Sequence, residues 1–333
     1  MWKQVKDEIL LLSTNGQLKG LSDLTLDTLH GSMWGLNHRY TSLKEVIQKD
    51  RQKIILYSLQ RINKLIDEQP FTFKQQPIFR CGVGYGTYGW KYNPAIIQLA
   101  IDRCSIIDTA EGYGYGRVET ELGKIIKNYE GDNFPIVNTK VRRDHMSPSA
   151  ISNSVHRSVE KLNIVPHVQL HYPNDRYPLA VKDLANLRRQ GKVKSIGLSN
   201  CSIDMIESAQ SFLSEYSGDV ISSVQMSFSL VDQRIRKLLL SYCQKRGIFV
   251  MAYSPLGQKY DRLKSKLLSH IAKQYNATEA QVALAWLLSF KAVIPIPQTN
   301  NTDHLKENIE SNNLILDQED VKELTNFYDA KNI

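Results

Sequence analysis

Ser105-Ile106-Ile107 runs straight into Asp108-Thr109-Ala110-Glu111-Gly112-Tyr113-Gly114. A short apolar, β-branched run that stops at polar and glycine residues reads as a buried strand entering a loop. The same pattern returns at Pro135-Ile136-Val137, which stops at Asn138-Thr139-Lys140, and at Val168-Gln169-Leu170, which stops at His171-Tyr172-Pro173. Working outward, further runs of this kind lie at 77–84, 193–196, 220–224, 248–251 and 292–295, eight in all. Amphipathic stretches separate them. One opens at Ser147-Pro148 and continues through Val155, Val159 and Leu162; a second covers 179–189 and stops near Gly191. A third opens at Thr278-Glu279-Ala280-Gln281, an approximate capping box. Eightfold strand–helix alternation over about 250 residues predicts an α/β chain closed into a (β/α)8 TIM barrel. A doubly wound open sheet is the alternative. It requires a glycine-rich turn that opens a helix, and Gly82, Gly84, Gly86 and Gly89 precede no helix start at the right place.

The rest of the chain sets bounds on this reading. It has 333 residues, 42% apolar and 23% charged, enough to bury a large core and unlike a disordered or coiled-coil sequence. The net charge of +8 is spread out: residues 1–77 carry 11 basic and 8 acidic groups, and the remainder 31 and 26. No basic run is interleaved with aromatics, so nucleic acid is not an expected partner, whereas an anionic small molecule is. Cys81, Cys104, Cys201 and Cys243 form no metal-ligand or redox motif. Thiols without a disulfide framework, a charged start and no long apolar run predict a cytoplasmic protein outside the membrane, with no metal site. Residues 1–77 break the rhythm. The spacing of Leu43, Val46, Ile47, Ile54, Ile55, Leu59, Ile62, Leu65 and Ile66 predicts one long helix over 41–69. The expected organisation is therefore an N-terminal helical extension, 1–77, ahead of a barrel, 78–333. The extension either packs on the barrel or serves as a docking or self-association arm.

The chemistry lies where the strands stop. In a barrel, the C-terminal ends of the strands share one rim. Asp108, Lys140 and His171 are 32 and 31 residues apart, about one βα unit each, so neighbouring strands bring a carboxylate, an ammonium and an imidazole together. Tyr113 adds a phenol on the loop beside them. A free phenol, with a pKa near ~10, is a poor acid or base at neutral pH, and an adjacent ammonium is expected to lower that value. A carboxylate beside the lysine would keep it charged and in place, and an imidazole could orient a carbonyl oxygen.

Asp108-Thr109-Ala110 with Tyr113-Gly114, then Glu119 with Leu122-Gly123, resembles the signature of the aldo-keto reductase superfamily. So do Lys140, Leu170-His171, and the segment Gly191-Lys192-Val193-Lys194-Ser195-Ile196-Gly197-Leu198-Ser199-Asn200. The resemblance runs from about Arg80 to about Asn313. It implies an NAD(P)-dependent carbonyl reductase with Tyr113 as general acid and base, Lys140 and Asp108 tuning it, and His171 orienting the substrate carbonyl. It further implies that Ser199, Asn200 and Gln225 hold a nicotinamide carboxamide and that Tyr253 stacks on the ring. Gly86, Thr87 and Tyr88 would lie beside the nicotinamide end, and Ser254, Pro255, Leu256 and Gly257 would wrap the pyrophosphate. Glu307 and Asn308 would meet the adenine, on a final helix over 302–309 whose N-terminus suits a phosphate. Tyr88, Trp90, Tyr115 and Tyr172 would line the substrate mouth.

The chain departs from that pattern in three places. Where NADPH-preferring members carry basic residues, this chain has Gln298, Thr299, Asn300 and His304, which predicts weakened preference for the 2′-phosphate. The stretch after Gly257 is short where many members have a long loop over the cofactor, and the N-terminal extension has no counterpart in most. A cofactor-binding regulatory or scaffold subunit is the competing expectation, with residues 1–77 as its docking arm. A phosphate-binding lyase would need Lys140 as a Schiff base, and the neighbours of Lys140 suit reduction better.

Overall fold

The computed structural model describes residues 83–84, 93–130, 134–257 and 263–330. The helix expected within 1–77, the boundary at 77/78, Gly86, Thr87, Tyr88 and Trp90, and the short stretch after Gly257 lie outside the described residues. The elements begin with β1 (Val83–Gly84), α1 (Pro94–Arg103), β2 (Ile106–Asp108), α2 (Arg117–Ile126) and β3 (Ile136–Val141). They continue with α3 (Pro148–Leu162), β4 (His167–Leu170), α4 (Tyr177–Arg189), β5 (Ile196–Ser199), α5 (Ile203–Tyr216) and β6 (Ile221–Ser227). The remainder are α6 (Ser241–Lys245), β7 (Phe249–Tyr253), α7 (Lys266–Gln274), α8 (Glu279–Leu288), β8 (Val293–Pro295), α9 (Thr302–Glu310) and α10 (Gln318–Ala330).

The eight strands form one sheet in sequence order, and every neighbouring pair is parallel. This is the (β/α)8 architecture expected from the eight apolar runs. The strands read as continuous apolar segments because both faces are covered: every residue of β2, β4, β5 and β8 is buried. Register then decides which side chains meet. Asp108 is opposite Asn138, Lys140 opposite Gln169, and Ser199 opposite Gln225.

Local sequence explains the helix limits. Thr278 and Gln281 make the reciprocal capping box that starts α8. Pro148 fits the first turn of α3, which ends at Asn163 in the left-handed region. α4 begins at Tyr177, two residues before the expected start, because the Asn174 side chain accepts the Arg176 N–H and Pro178 is already shaped for the first turn. Packing between helices needs Gly123. A Cβ there would come 1.8 Å from the Lys161 carbonyl oxygen, so only glycine lets α2 approach α3 this closely. Buried Trp286 of α8 packs against Phe228 and Phe290 and donates to Thr325 Oγ1 of α10 at 2.9 Å.

Candidate active site

The C-terminal ends of β2, β3 and β4 bring Asp108, Lys140 and His171 to one place, as their spacing predicts. Lys140 is fully buried, which strongly disfavours a charged amine unless it is paired. Its Nζ donates to Asp108 Oδ2 at 2.7 Å, to the Thr109 carbonyl oxygen at 2.6 Å and to the Tyr113 hydroxyl oxygen at 3.3 Å. All three ammonium hydrogens therefore have acceptors. Burial opposes the charge, yet the Asp108 carboxylate and Tyr113 together raise the Lys140 pKa above its ordinary value.

Tyr113 reaches this lysine through an unusual turn. Its N–H donates to the Ala110 carbonyl at 3.0 Å, and Gly114, Tyr115 and Gly116 follow with φ of 55, 58 and 83°. Three successive left-handed residues reverse the chain, and one of them is not glycine, a costly conformation of the sort that gathers at functional sites. The turn faces the phenol inward and leaves Tyr115 96% exposed, so Tyr115 belongs to the surface more than to a pocket lining. Glu111 clamps the same loop from outside: its Oε1 accepts the Arg142 N–H at 2.7 Å and lies 3.0 Å from His145 Nδ1.

One expectation needs correcting. Lys140 was expected to lower the Tyr113 pKa, but burial outweighs that pull and the phenol titrates above its ordinary value of 10. Tyr113 is thus held protonated, the form a proton donor needs. His171 packs edge-on to Tyr113 with ring centroids 5.8 Å apart and stacks on half-exposed Tyr172 at 4.9 Å. Burial, assisted by the Lys140 charge, pushes the His171 pKa down to about 3. The imidazole is neutral and keeps one N–H to give.

The residues expected to hold a carboxamide also converge. Ser199 and Gln225 are buried and opposite each other in register. Asn200, with φ of 55°, donates to the His171 carbonyl at 3.1 Å and to Ser199 Oγ at 3.0 Å, and accepts from the Tyr253 hydroxyl at 2.8 Å. Gln225 donates to Asp108 Oδ1 at 2.8 Å, so the amide cluster is joined to the charged pair. Hydroxyls, amides and one aromatic ring at the ends of β5, β6 and β7 suit a nicotinamide carboxamide in donor chemistry. Ser254 (φ 50°) and Gly257 (φ 80°) close a turn through a 2.8 Å bond from the Gly257 N–H to the Ser254 carbonyl, around Pro255 and Leu256.

The adenine end differs from expectation. Asn301 Oδ1 accepts the N–H groups of Asp303 (2.8 Å) and His304 (3.4 Å), so α9 caps its own N-terminus where a phosphate was expected. Asp303 adds negative charge to that turn. Thr299 Oγ1 accepts the Asn301 N–H at 3.1 Å, Gln298 and His304 are exposed, Glu307 is half-buried, and Asn308 is buried. Sequence reading missed the part played by Asn138 and Gln169. Asn138 was visible at the end of one apolar run and Gln169 inside another; their partners were not. Among the described residues, no group of acidic, histidine and cysteine side chains could hold a metal, and no helix is long and apolar enough to cross a membrane.

Comparison with known proteins shows the family. A sequence profile of the aldo/keto reductase family matches residues 84–329. Methylglyoxal reductase YeaE of Escherichia coli K12 is 29% identical over 211 residues, which cover 61% of this chain and 72% of that protein. The crystal structure of the thermostable aldo-keto reductase Tm1743, in complex with the inhibitor epalrestat, aligns with a TM-score of 0.68 at 28% identity, covering 78% of this chain and 97% of that one. An aldo/keto reductase from Klebsiella pneumoniae, in complex with NADP and acetate, aligns with a TM-score of 0.64 at 26% identity over 75% of this chain and 91% of that one.

Proposed function

The chain belongs to the aldo/keto reductase family of NAD(P)-dependent oxidoreductases, and from that premise we propose that it interconverts a carbonyl compound and its alcohol, with Tyr113 moving the proton on oxygen. The observation that carries this reading is the buried Asp108–Lys140–Tyr113 chain, at 2.7 and 3.3 Å, with a neutral His171 against the phenol. The bound NAD(P)H would supply the hydride, or NAD(P)+ accept it.

In the reducing direction the Tyr113 O–H bond breaks as the substrate oxygen gains the proton. The Lys140 ammonium, already donating to that phenol oxygen, stabilises the phenolate left behind, and Asp108 holds the ammonium in place. The neutral His171 donates its N–H to the carbonyl oxygen and aligns it for protonation. Ser199, Asn200, Gln225 and Tyr253 would hold the nicotinamide end, with Gly86, Thr87 and Tyr88 beside it. Ser254, Pro255, Leu256 and Gly257 would meet the pyrophosphate. Gln298, Thr299, His304, Glu307 and Asn308 would face the adenosine, with no full positive charge for a 2′-phosphate, which supports use of both NADPH and NADH. Buried, free Cys104, Cys201 and Cys243 support a reducing, cytoplasmic setting. The substrate is a small aldehyde, ketone or sugar. Two relatives named methylglyoxal reductases, both from Escherichia coli, make methylglyoxal the first compound to try.

The test is turnover with methylglyoxal, para-nitrobenzaldehyde and aldoses, using NADPH and NADH in parallel. The expected result is stoichiometric formation of alcohol, with kcat/KM for the two cofactors within about tenfold of each other. Cofactor binding without turnover of any carbonyl would contradict the enzymatic reading and favour a scaffold subunit.

A further inference from the structure

The charged pair is not self-supporting. Asp108 is buried, and only one of its oxygens, Oδ2, faces Lys140. Oδ1 is held by two amides. Asn138 Nδ2 donates to it at 2.8 Å from β3, and Gln225 Nε2 donates at 2.8 Å from β6. Asn138 is itself fixed, because the same nitrogen also donates to Gln169 Oε1 at 3.2 Å. Gln169 is anchored in turn, its Nε2 lying 2.9 Å from Ser223 Oγ and 3.4 Å from Met251 Sδ. Chemistry dictates the orientation of the Asn138 amide. Flipped, it would set its oxygen against the Asp108 carboxylate and the Gln169 carbonyl, both acceptors. Each amide hydrogen therefore has one acceptor, and the network across β2, β3, β4, β6 and β7 has one arrangement.

We propose that Asn138 is a positioning residue for proton transfer: braced by Gln169, it fixes the Asp108 carboxylate so that the opposite oxygen stays on Lys140 and Lys140 stays on Tyr113. The proposal rests on the reading that Tyr113 moves the proton. Asn138 is buried among strands, and its side chain hydrogen-bonds Asp108 and Gln169 rather than the phenol or the imidazole, so it acts through Asp108. Without it, Asp108 Oδ1 keeps a single donor, and the carboxylate gains freedom to rotate away from the lysine. The titratable groups around this carboxylate are Lys140 from β3 and Tyr113 from the loop after β2. The rest of the network, Gln225 on Asp108 itself and Gln169, Ser223 and Met251 behind Asn138, holds no group that titrates near neutrality.

Two near-isosteric variants of the full chain, assayed with NADPH and para-nitrobenzaldehyde, test the proposal. Asn138→Leu removes both donors, and its kcat is expected to fall about tenfold or more, on the scale known for partners that orient a functional group indirectly. Its Kd for NADPH, read by fluorescence, is expected to stay within about threefold of the parent. Asn138→Asp gives the sharper readout. As a carboxylate it repels Asp108, and as a carboxylic acid its single O–H can donate to Asp108 Oδ1 in place of the amide, although Gln169 Oε1 then loses its donor. Its kcat is expected to be low near pH ~8 and to recover towards the parent as the pH falls. A role in packing alone would lower the whole profile without changing its shape. The proposal is overturned if Asn138→Leu keeps kcat within about twofold, or if the Asn138→Asp profile runs parallel to the parent's. If the leucine variant does not fold, the aspartate profile decides. Tyr113→Phe, run alongside, separates the two levels: full activity in that variant sinks the functional reading, whereas loss there with unchanged Asn138 variants sinks only this inference.

Discussion

Tyr113 and His171 have opposite burial problems with one outcome, a neutral pair. Removing water raises the pKa of an acid that ionises to an anion and lowers that of a base that protonates to a cation. Tyr113 is accordingly shifted above 10, and His171 down to about 3. This determines how kcat should depend on pH. The proposed reduction needs a protonated phenol, so kcat at saturating substrates is expected to stay level from about pH 5 to pH 9, falling only where the phenol ionises. His171 gives no inflection near its ordinary 6.5, because it takes a proton only far below that value. In alcohol oxidation the sign reverses. The phenolate is then the base, and the rate rises with pH. A kcat profile for reduction with a limb near pH ~6.5 would show that an imidazolium takes part after all.

At the scale of elements, the aldo-keto signature divides into chemistry and packing. Asp108 and Tyr113 belong to the proposed proton path. Glu119, Leu122 and Gly123 belong to α2, where Glu119 Oε1 accepts the Thr139 hydroxyl at 2.7 Å and Gly123 lies against the backbone of α3. Gly123→Ala forces a Cβ to 1.8 Å from the Lys161 carbonyl oxygen. It is expected to cost about 1–3 kcal/mol by overpacking. That corresponds to a fall in Tm of roughly 2–4 °C per kcal/mol in thermal unfolding followed by circular dichroism. An unchanged Tm would mean that α2 and α3 can move apart freely.

The same scale shows what the sequence could tell. Strands covered on both faces read as apolar runs, so β2, β4 and β8 were legible within a residue or two, as were the start of α3 and the cap of α8. The cap of α9 was missed although Asn301 stands one residue before the helix, because a phosphate was expected in its place. The partners of Asn138 and Gln169 were not legible, since strand register brings them together from 31 residues apart. The sign of the Tyr113 shift was hidden for a related reason. The sequence displays the lysine but not the exclusion of water.

Across the whole molecule, one sheet in sequence order makes the site possible. Eight parallel strands put all their C-terminal ends on one side, so residues from 108 to 253 can meet without any long-range loop. The net charge of +8 is distributed rather than focused, and residues 298–304 contain no lysine or arginine. The chemistry proposed here uses no residue before 86. In that chemistry the Tyr113 hydroxyl, set by Lys140 and Asp108, transfers the proton. The most direct measurement compares kcat for carbonyl reduction and the Kd for NADPH in the parent and in Tyr113→Phe, which removes a single oxygen atom. In Tyr113→Phe, kcat is expected to fall by about 10²–10⁴-fold while cofactor binding stays nearly unchanged. A Tyr113→Phe protein that reduces carbonyls as fast as the parent would contradict it.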